Sequence, residues 1–492
     1  MTAPESERLR FIEPDGSNRE EIRRLGYRFI DLLVEAASDA VHRPPVPDDG
    51  EAAAFPARYE PPATGRPAED LLEAMRDGVL RHVLNPAHPG YVGHMDSLAS
   101  AVGIFSDAIV SACNNNMLSY EMSLLFTTME QAILAWSARS FGWGEGAGGF
   151  LVSGGTLANI QAIWTARNAR AGEGIAREGV RDGARGAPVV IASENAHYSF
   201  RKAANLLGIG REGLRLVPTD RAGRVRPEAM ERAVVEAKRE GKIPFCIIGI
   251  AGTTVTGSIE PLPEIGEIAR RHGLWYHVDA AYGGSLILSG ALRGRLAGCE
   301  HADSITWNPQ KWLYVPKTCA SLLYRDLGVL DRTIRETFVY GREQAPAGQT
   351  NLGEYTMQGT RRVDVLKLWL TLEHFGMSAL GGLIETLTER ARWLADRIEA
   401  AGELDLIGPP DLNIVCFRAL PRGVDPEDGP RVDAIQEEVQ KEVARRGHGW
   451  ISIPRYQGRR ILRAVILHPR CDTDVLASVL ADVREAAAAA RR

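Results

Sequence analysis

Cysteine is scarce in this chain, and its copies are scattered. Six cysteines occur among 492 residues, and no two of them form a Cys-x-x-Cys pair. This pattern argues against a structural zinc site and against a disulfide framework. It is typical of a protein that works in a reducing compartment. We therefore expect a cytoplasmic protein without a bound metal.

Long hydrophobic runs and excess positive charge are also missing. No apolar stretch reaches the length of about 18 residues that a membrane-spanning helix needs, and the N-terminal segment is polar. The formal net charge is −5, which gives no general basis for attracting nucleic acid or an anionic membrane. We expect neither a membrane nor a nucleic acid as a partner.

What the chain does have, from residue 188 onwards, is an alternation of short apolar runs with amphipathic segments. Because strands that alternate with helices form parallel sheets, the pattern predicts a mainly parallel sheet with helices on both faces. The predicted strands are 188–192, 214–217, 245–251, 274–278 and 320–324.

The two ends of the chain differ from this central region. Ser17 and Glu20 have the spacing of a capping box, and apolar residues at helical spacing follow them. A Pro-rich stretch separates this N-terminal helix from the core, which suggests that the helix packs on a partner subunit. We predict three segments: an N-terminal helical segment, 1–95; a large α/β domain, 96–375; and a small α+β domain, 376–492.

A lysine and an acid stand at two predicted strand ends. Lys311 follows a β-rich run that stops at Asn308 and a proline, and Asp279 ends the strand before it. The carboxyl ends of parallel strands are where α/β proteins place ligands. An amine and a carboxylate at this edge suggest a site that holds a charged ring and attacks a carbonyl group.

Further polar residues point to the same edge. The turn 153–156 (Ser-Gly-Gly-Thr) leaves backbone N–H groups bare at a helix start, which suits a phosphate. This turn is neither a Walker A loop nor a dinucleotide fingerprint. His197 and Thr254 also follow predicted strands. A shaped loop at 85–95, which contains His94, is interpreted as a wall of the substrate pocket.

Five motifs in order make the chain resemble the group II pyridoxal-phosphate-dependent amino-acid decarboxylases. The motifs are 153–156, the region of His197, 251–254, 277–281 and 308–312. The resemblance implies a fold-type-I α/β architecture with a seven-stranded-type sheet and a smaller C-terminal domain. It also implies pyridoxal 5′-phosphate as cofactor, and a homodimer with its sites at the subunit interface. The implied reaction is the decarboxylation of an L-amino acid to a primary amine and CO2.

The resemblance assigns cofactor roles residue by residue. Lys311 would form a Schiff base with the cofactor aldehyde, and Asp279 would keep the pyridine nitrogen protonated so that the ring accepts electrons. His197 would stack on the ring. The remaining cofactor contacts would come from Ser153, Gly155, Thr156, Thr254, Ala281 and Asn308.

Substrate roles follow in the same way. Tyr340, in a long loop, would protonate the α-carbon, and Tyr355 is the alternative. Arg463 would hold the substrate carboxylate, and His94 would contribute to the substrate pocket.

One position departs from the family pattern: Gln310 stands where a histidine usually precedes the lysine. Glutamine can hydrogen-bond a phosphate oxygen but cannot carry a charge or shuttle a proton. If protonation is slow and oxygen reaches the carbanion, decarboxylation-coupled oxidative deamination to an aldehyde becomes possible. An aldehyde synthase or another carbanion-diverting enzyme such as an aminotransferase is therefore the alternative.

A non-catalytic scaffold is a third hypothesis, and the retained Lys311 and Asp279 argue against it. A nicotinamide-dependent dehydrogenase is a fourth, for which the turn at 153–156 lacks the glycine fingerprint.

Overall fold

The structure is a computed structural model that describes residues 11–47, 59–172, 174–180, 186–337 and 345–490. Backbone contacts divide the chain into two compact units. The first gathers residues 1–94, 419–453 and 468–492, and the second comprises residues 95–418 and 454–467. This grouping differs from the three segments predicted above, which remain a prediction about domains.

A seven-stranded sheet forms the centre of the second unit. Its strands lie in the order β1-β7-β6-β5-β4-β2-β3. All neighbours from β3 to β6 pair in parallel, whereas β7 runs antiparallel to both β6 and β1. The prediction of a mainly parallel sheet is thus confirmed. The strands are β1 Gly148–Val152, β2 Pro188–Ser193, β3 Leu214–Val217, β4 Ile243–Ile250, β5 Trp275–Asp279, β6 Ser304–Trp307 and β7 Ala320–Tyr324.

Most of these strands are buried along their whole length because helices cover both faces of the sheet. Every residue of β1, β2, β5, β6 and β7 is buried, as expected for a sheet covered on both sides. Helices of this unit, with our numbering, are α3 Ala101–Cys113, α4 Leu124–Ser140, α5 Gly155–Arg170, α6 Ile175–Glu178, α7 Ser199–Leu206, α8 Pro227–Arg239, α9 Leu262–His272, α10 Pro309–Trp312, α11 Gly328–Thr333 and α12 Asp364–Ala400.

Strand β7 lies between β1, which leads to the turn at 153–156, and β6, which leads to Lys311. Ala320 of β7 is opposite Val152, the last residue of β1. Ser321, the next residue of β7, is opposite Trp307, the last residue of β6. The ends of β1 and β6 are therefore aligned across one intervening strand.

The long helix α12 consists of two helical segments that meet at a non-helical residue, Gly376. This agrees with the apolar pattern, which predicts two helices, 363–375 and 378–401. Gly376 has φ 69° within this helix, a conformation that glycine adopts without steric cost. The kink is therefore centred on a residue without a side chain.

A smaller antiparallel sheet completes the second unit. It has the order β12-β9-β8, and a separate hairpin pairs β10 with β11. Apolar runs in the sequence predict two antiparallel strands at 412–418 and 461–467, and β9 and β12 pair in this way. The bounds are β8 Leu404–Leu406, β9 Ile414–Ala419, β10 Arg455–Tyr456, β11 Arg459–Arg460 and β12 Leu462–Val465.

The first unit is helical. Its helices are α1 Arg19–Ser38, α2 Ala68–Ala74, α13 Gly429–Arg446 and α14 Thr473–Ala489. The predicted capping box at its start is wrong, because Asn18 is the residue that precedes α1 and its side chain makes no cap bond to the helix. The Asn18 carboxamide instead bonds backbone groups of Phe11 and Glu13. None of the helices in the described part of the chain has the length and apolar character required to cross a membrane.

Candidate active site

A cavity of about 260 Å³ opens at the carboxyl end of the central sheet. It is formed by the turn after β1, the loops after β2, β4 and β5, and the start of α10. The lining residues are Ser153, Gly154, Gly155, Thr156, Asn159, Asn195, His197, Tyr198, Ile250, Gly252, Thr254, Asp279, Ala281, Asn308, Gln310 and Lys311. The structure thus brings together all of the cofactor residues named from the sequence.

The turn between β1 and α5 supplies backbone donors to this cavity. Gly154 has φ 96°, and α5 begins at the next residue. The first N–H groups of a helix have no intrahelical partner, so those of Gly155 and Thr156 suit an anion. Ser153 is differently engaged: Gln358 accepts a hydrogen bond from its N–H at 3.1 Å and donates to its Oγ at 2.9 Å. The Ser153 hydroxyl therefore has only its own hydrogen left to offer.

Gly155 allows Asn308 to approach the turn closely. A Cβ added at Gly155 would lie 2.7 Å from Nδ2 of Asn308. Because such overpacking costs about 1–3 kcal/mol, we expect Gly155→Ala to weaken cofactor binding about tenfold or more. Equilibrium titration of the apoenzyme with pyridoxal phosphate measures this loss. Gly144→Ala is the control, since a Cβ at Gly144 meets no atom within 4 Å; equal affinities in both variants would contradict the prediction.

Lys311 enters the cavity from the first turn of α10. Its Nζ lies 5.6 Å from the centre of the Tyr282 ring, and that ring stacks on Trp312 with centroids 5.0 Å apart. Burial lowers the pKa of the Lys311 amine, and the carboxylate of Asp279 opposes this shift. A lowered pKa increases the fraction of neutral amine, the form that attacks an aldehyde.

Asp279 ends β5 at the floor of the cavity and is buried. Its Oδ1 accepts the backbone N–H of Ala281 at 3.1 Å, and its Oδ2 accepts Nδ2 of Asn159 at 2.8 Å. Each carboxylate oxygen therefore has one donor from the protein, which fixes the orientation of the group at the edge of the cavity.

His197 is a neutral imidazole in this arrangement. The backbone N–H of Ser199 donates to its Nδ1 at 3.3 Å, and the Ser199 hydroxyl lies 2.8 Å from the same atom. Because a backbone N–H can only donate, Nδ1 is an acceptor and the ring proton is on Nε2. Burial lowers the pKa of His197. The ring is therefore uncharged, which suits stacking on an aromatic ligand.

The cavity fits pyridoxal phosphate in its donor set. It combines bare N–H groups for a phosphate, an amine for an aldehyde, a carboxylate for a pyridine nitrogen and an imidazole for a ring face. Asn308 adds a polar atom without a protein partner, because its buried Oδ1 makes no hydrogen bond to the described residues. The Nδ2 of the same carboxamide is the atom nearest to Gly155 in the turn, and it is a donor whose hydrogen bond a phosphate oxygen could accept.

Gln310 also lines the cavity, but its side chain is held by the neighbouring strand. Its Oε1 accepts the backbone N–H of Cys319 at 2.6 Å. Its backbone carbonyl accepts the hydroxyl of Ser97 at 3.3 Å. The carboxamide is thus oriented with its oxygen towards the chain of β7.

The predicted substrate residues are less closely assembled. Arg463 is absent from the described residues that line the cavity, yet its Nη1 donates to the carbonyl of Thr254, which does line it, at 2.7 Å. His94 belongs to the first unit, where its ring lies 4.8 Å from that of Trp450. Tyr340 lies outside the described residues. Tyr355 donates to Asp331 at 2.9 Å and also does not line the cavity among the residues that the structure describes.

Sequence reasoning missed Asn159, which lines the cavity, and Glu260, which does not line it but bonds the strand residue Ile250 that does. Asn159 lies within an apolar helix and is 1% exposed; a polar residue on the buried face of such a helix is the signal that could have revealed it. Glu260 is 2% exposed, and its Oε2 accepts the backbone N–H of Ile250 at 3.0 Å. Burial raises the pKa of Glu260 to about 8, so it is protonated at neutral pH.

This raised pKa predicts a pH-dependent stability difference. Between its unfolded value, 4.5, and its folded value, about 8, Glu260 binds a proton only in the folded state. Its contribution to stability therefore declines as pH rises through that range. We expect Glu260→Gln, which does not titrate, to gain stability relative to the wild type from pH 5 to pH 8. Thermal unfolding midpoints across this range test the expectation, and a difference that does not vary with pH would contradict it.

Comparisons with known proteins agree with the geometry. The pyridoxal-dependent decarboxylase conserved domain matches residues 54–420. L-2,4-diaminobutyrate decarboxylase of Acinetobacter baumannii is 30% identical over 436 residues, which are 86% of this chain and 85% of that protein. The acidic amino acid decarboxylase GADL1 of Xenopus tropicalis is 30% identical over 428 residues, with 85% and 83% covered. The crystal structure of mouse CSAD in apo form aligns with a TM-score of 0.87 at 28% identity, covering 95% of this chain and 99% of that one.

A phosphate turn, an amine and an acid at one edge of this sheet define a pyridoxal-phosphate enzyme. The match over most of its length shows that the chain belongs to the pyridoxal-dependent decarboxylase family. It is a lyase that uses pyridoxal phosphate to decarboxylate an amino acid. The predictions of the family, the fold type, the cofactor and the main reaction are confirmed.

Proposed function

We propose that Lys311 is the attachment point of the cofactor and Asp279 the partner of its ring nitrogen. The observation that carries this proposal is the convergence of Lys311, Asp279 and the turn at 153–156 on one cavity. Gly155 and Thr156 would bind the phosphate with backbone N–H groups, and Asn308 would face it. His197 would cover one face of the ring.

The chemistry divides between the cofactor and the chain. Bound pyridoxal phosphate supplies an electron sink for the electron pair left when CO2 departs. The protein would keep the cofactor ring able to accept electrons. Asp279 has a donor on each carboxylate oxygen, and it would stabilise a proton on the ring nitrogen. Uncharged His197 adds no competing positive charge, and the helix start at Gly155 fixes the phosphate end.

For the substrate we propose an L-α-amino acid whose carboxylate is held by Arg463. Arg463 is 6% exposed and lies beside the cavity through its bond to Thr254. The relatives named above act on diaminobutyrate and on acidic amino acids, whose distal groups differ in charge. These substrates share an α-amine and an α-carboxylate, and these are the groups that Lys311 and Arg463 would contact. His94 and Tyr340 remain proposed contributors to substrate binding and to protonation.

We further propose that the enzyme works as a homodimer in the cytoplasm. Phe105 and Ile109, one turn apart on α3, are 45% and 49% exposed, and Leu124 and Leu125 at the start of α4 are 58% and 66% exposed. Exposed apolar side chains in such groups mark interfaces, and a second copy of this chain is the proposed partner. All six cysteines are free, and five are buried, which suits a reducing compartment. Sedimentation of the wild type and of Ile109→Glu tests the assembly, with loss of the dimer expected in the variant.

The function is tested by product analysis and by cofactor mapping. The purified enzyme, loaded with pyridoxal phosphate, is assayed against a panel of L-amino acids that includes acidic and diamino acids. We expect CO2 and a primary amine in equal amounts, whereas aldehyde, ammonia and peroxide would contradict the proposal. Borohydride reduction followed by peptide mass spectrometry should locate the cofactor on Lys311; a cofactor fixed to another lysine would overturn the assignment.

A further inference from the structure

The side chains behind Asp279 form a continuous hydrogen-bonded chain. Nε1 of Trp275 donates to Oγ of Ser304 at 2.9 Å, and that Oγ lies 2.9 Å from Nδ1 of His277. Nε2 of His277 lies 3.2 Å from Oδ1 of Asn159, whose Nδ2 is 2.8 Å from Oδ2 of Asp279. Trp275, Ser304, His277 and Asn159 are each at most 4% exposed. The four side chains are therefore shielded from solvent and must satisfy one another.

The indole at one end sets the direction of this chain. An indole N–H can only donate, so the Ser304 hydroxyl is the acceptor in that bond. The hydroxyl keeps its own hydrogen, which it can donate to Nδ1 of His277, while Oδ1 of Asn159 on the other side of the imidazole accepts from Nε2. Nδ1 therefore carries no proton, and the imidazole is neutral with its hydrogen on Nε2. Burial lowers the pKa of His277 to about 4, in agreement with a neutral ring.

The orientation of the Asn159 carboxamide follows. Its Oδ1 accepts Nε2–H of His277 and also the hydroxyl of Thr306 at 2.7 Å. Its Nδ2 is thereby turned towards Asp279. In the opposite orientation an amide oxygen would lie 2.8 Å from a carboxylate oxygen, with two acceptors facing each other. Only the first orientation pairs donors with acceptors throughout.

The same carboxamide reaches the imidazole that faces the cavity. The second hydrogen of Asn159 Nδ2 is directed at Oγ of Ser199, 3.0 Å away. Ser199 in turn contacts Nδ1 of His197 at 2.8 Å. Asn159 therefore connects Asp279 with His197, the two residues that would contact the cofactor ring.

We propose that Trp275, Ser304, His277 and Asn159 act as a positioning chain that directs a hydrogen-bond donor at Asp279 and keeps it ionised. His277 would serve in it as the neutral Nε2–H tautomer, without touching cofactor or substrate. This inference rests on the proposed role of Asp279, because an enforced negative charge matters only opposite the ring nitrogen. It assigns a function to a histidine that has no place in the chemistry itself.

The tautomer is tested directly by nitrogen NMR of holoenzyme labelled with ¹⁵N-histidine. The resonance of His277 is identified by its loss in His277→Phe. We expect a proton on Nε2, none on Nδ1, and no titration between about pH 5.5 and 8. A proton on Nδ1, or an imidazolium in this range, would overturn the inference. The result does not depend on whether Asp279 pairs with the ring nitrogen.

The functional consequence is tested with paired substitutions. His277→Phe removes the donor to Asn159, and we expect kcat/KM and cofactor affinity each to fall about tenfold, as is common for outer partners of a site. In His277→Gln an amide N–H can replace Nε2–H, and we expect most of the loss to be restored. A merely structural role predicts no such rescue, so equal losses in both variants would overturn the proposal.

A serine pair supplies a matched control. Ser304→Ala breaks the chain next to His277, whereas Ser285→Ala removes a hydroxyl that also accepts an indole N–H, from Trp307 at 3.1 Å, and whose position is outside the chain. Both serines are fully buried. We expect only Ser304→Ala to weaken cofactor binding and to change the His277 nitrogen shifts. Equal effects of the two substitutions would count against the chain. Full retention of cofactor by Asp279→Asn would instead contradict the proposed function.

Discussion

Replacing Lys311 with alanine is expected to lower kcat/KM by at least about 10²-fold, the scale on which positioned acid–base groups contribute. Lys311 is the lysine that lines the cavity among the residues the structure describes. Its partly desolvated amine has a lowered pKa, and within the described ranges of the chain no second lysine lines the cavity to attack a bound aldehyde. The variant should therefore lose both turnover and the visible absorbance of lysine-bound cofactor.

The matched control is Lys202→Ala. Lys202 is exposed on α7, with its Nζ 4.8 Å from the centre of the Tyr198 ring. It is near the cavity but does not line it, so its loss removes a similar charge without removing the attachment point. Steady-state kinetics and absorbance spectra of both variants decide the matter. A Lys311→Ala enzyme that retains normal turnover would refute the role given to this lysine.

Replacing Asp279 with asparagine is expected to reduce kcat/KM by about 10²-fold or more, a loss typical of removing a preorganised charge partner. Asparagine cannot hold the negative charge opposite a pyridine nitrogen. It also presents an NH2 group to donors, because both Asp279 oxygens accept hydrogen bonds, from Ala281 and Asn159. The substitution therefore introduces a donor–donor conflict as well as a loss of charge, and cofactor binding should weaken.

Glu260→Gln is the informative comparison for Asp279→Asn. Both wild-type residues are buried carboxyl groups near the ends of central strands. Glu260, with its pKa raised to about 8, is neutral at pH 7, so its amide replaces one uncharged group with another. We expect near-normal kcat/KM in Glu260→Gln under conditions in which Asp279→Asn is severely impaired. Similar losses in the two variants would mean that packing, and not charge, explains both.

The strands and their polar ends could be predicted because their signals are local. Short runs rich in apolar and β-branched residues mark the strands, and the predicted strands 214–217 and 320–324 coincide with β3 and β7. The residues that follow such runs gather at one edge by topology alone. Lys311, Asp279 and the turn at 153–156 were found in this way.

The interactions behind the cavity could not be predicted, because they join distant parts of the chain. Gln358 bonds Ser153 across 205 positions, and Asn159 bonds Asp279 across 120. The residues adjacent to Ser153 and Asn159 in the sequence do not indicate these distant partners. The capping box at Ser17 failed for a related reason, because Asn18 makes competing bonds to the preceding segment. Local sequence patterns predict the helices and strands, whereas tertiary contacts determine the hydrogen bonds that their polar side chains make.

Strand β7 contributes no side chain to the cavity, yet it sets the offset between the two halves of the cofactor site. The turn after β1 and the lysine after β6 begin at the same position along the sheet. This is because Ala320 and Ser321, which are neighbours in β7, pair with the last residues of β1 and β6. One residue inserted within β7 would shift the pairing on one side of the insertion by about 3.3 Å, more than a hydrogen bond tolerates, and would turn the β7 side chains there to the opposite face of the sheet. An insertion scan through β7 should be as damaging to cofactor binding as mutation of the site itself.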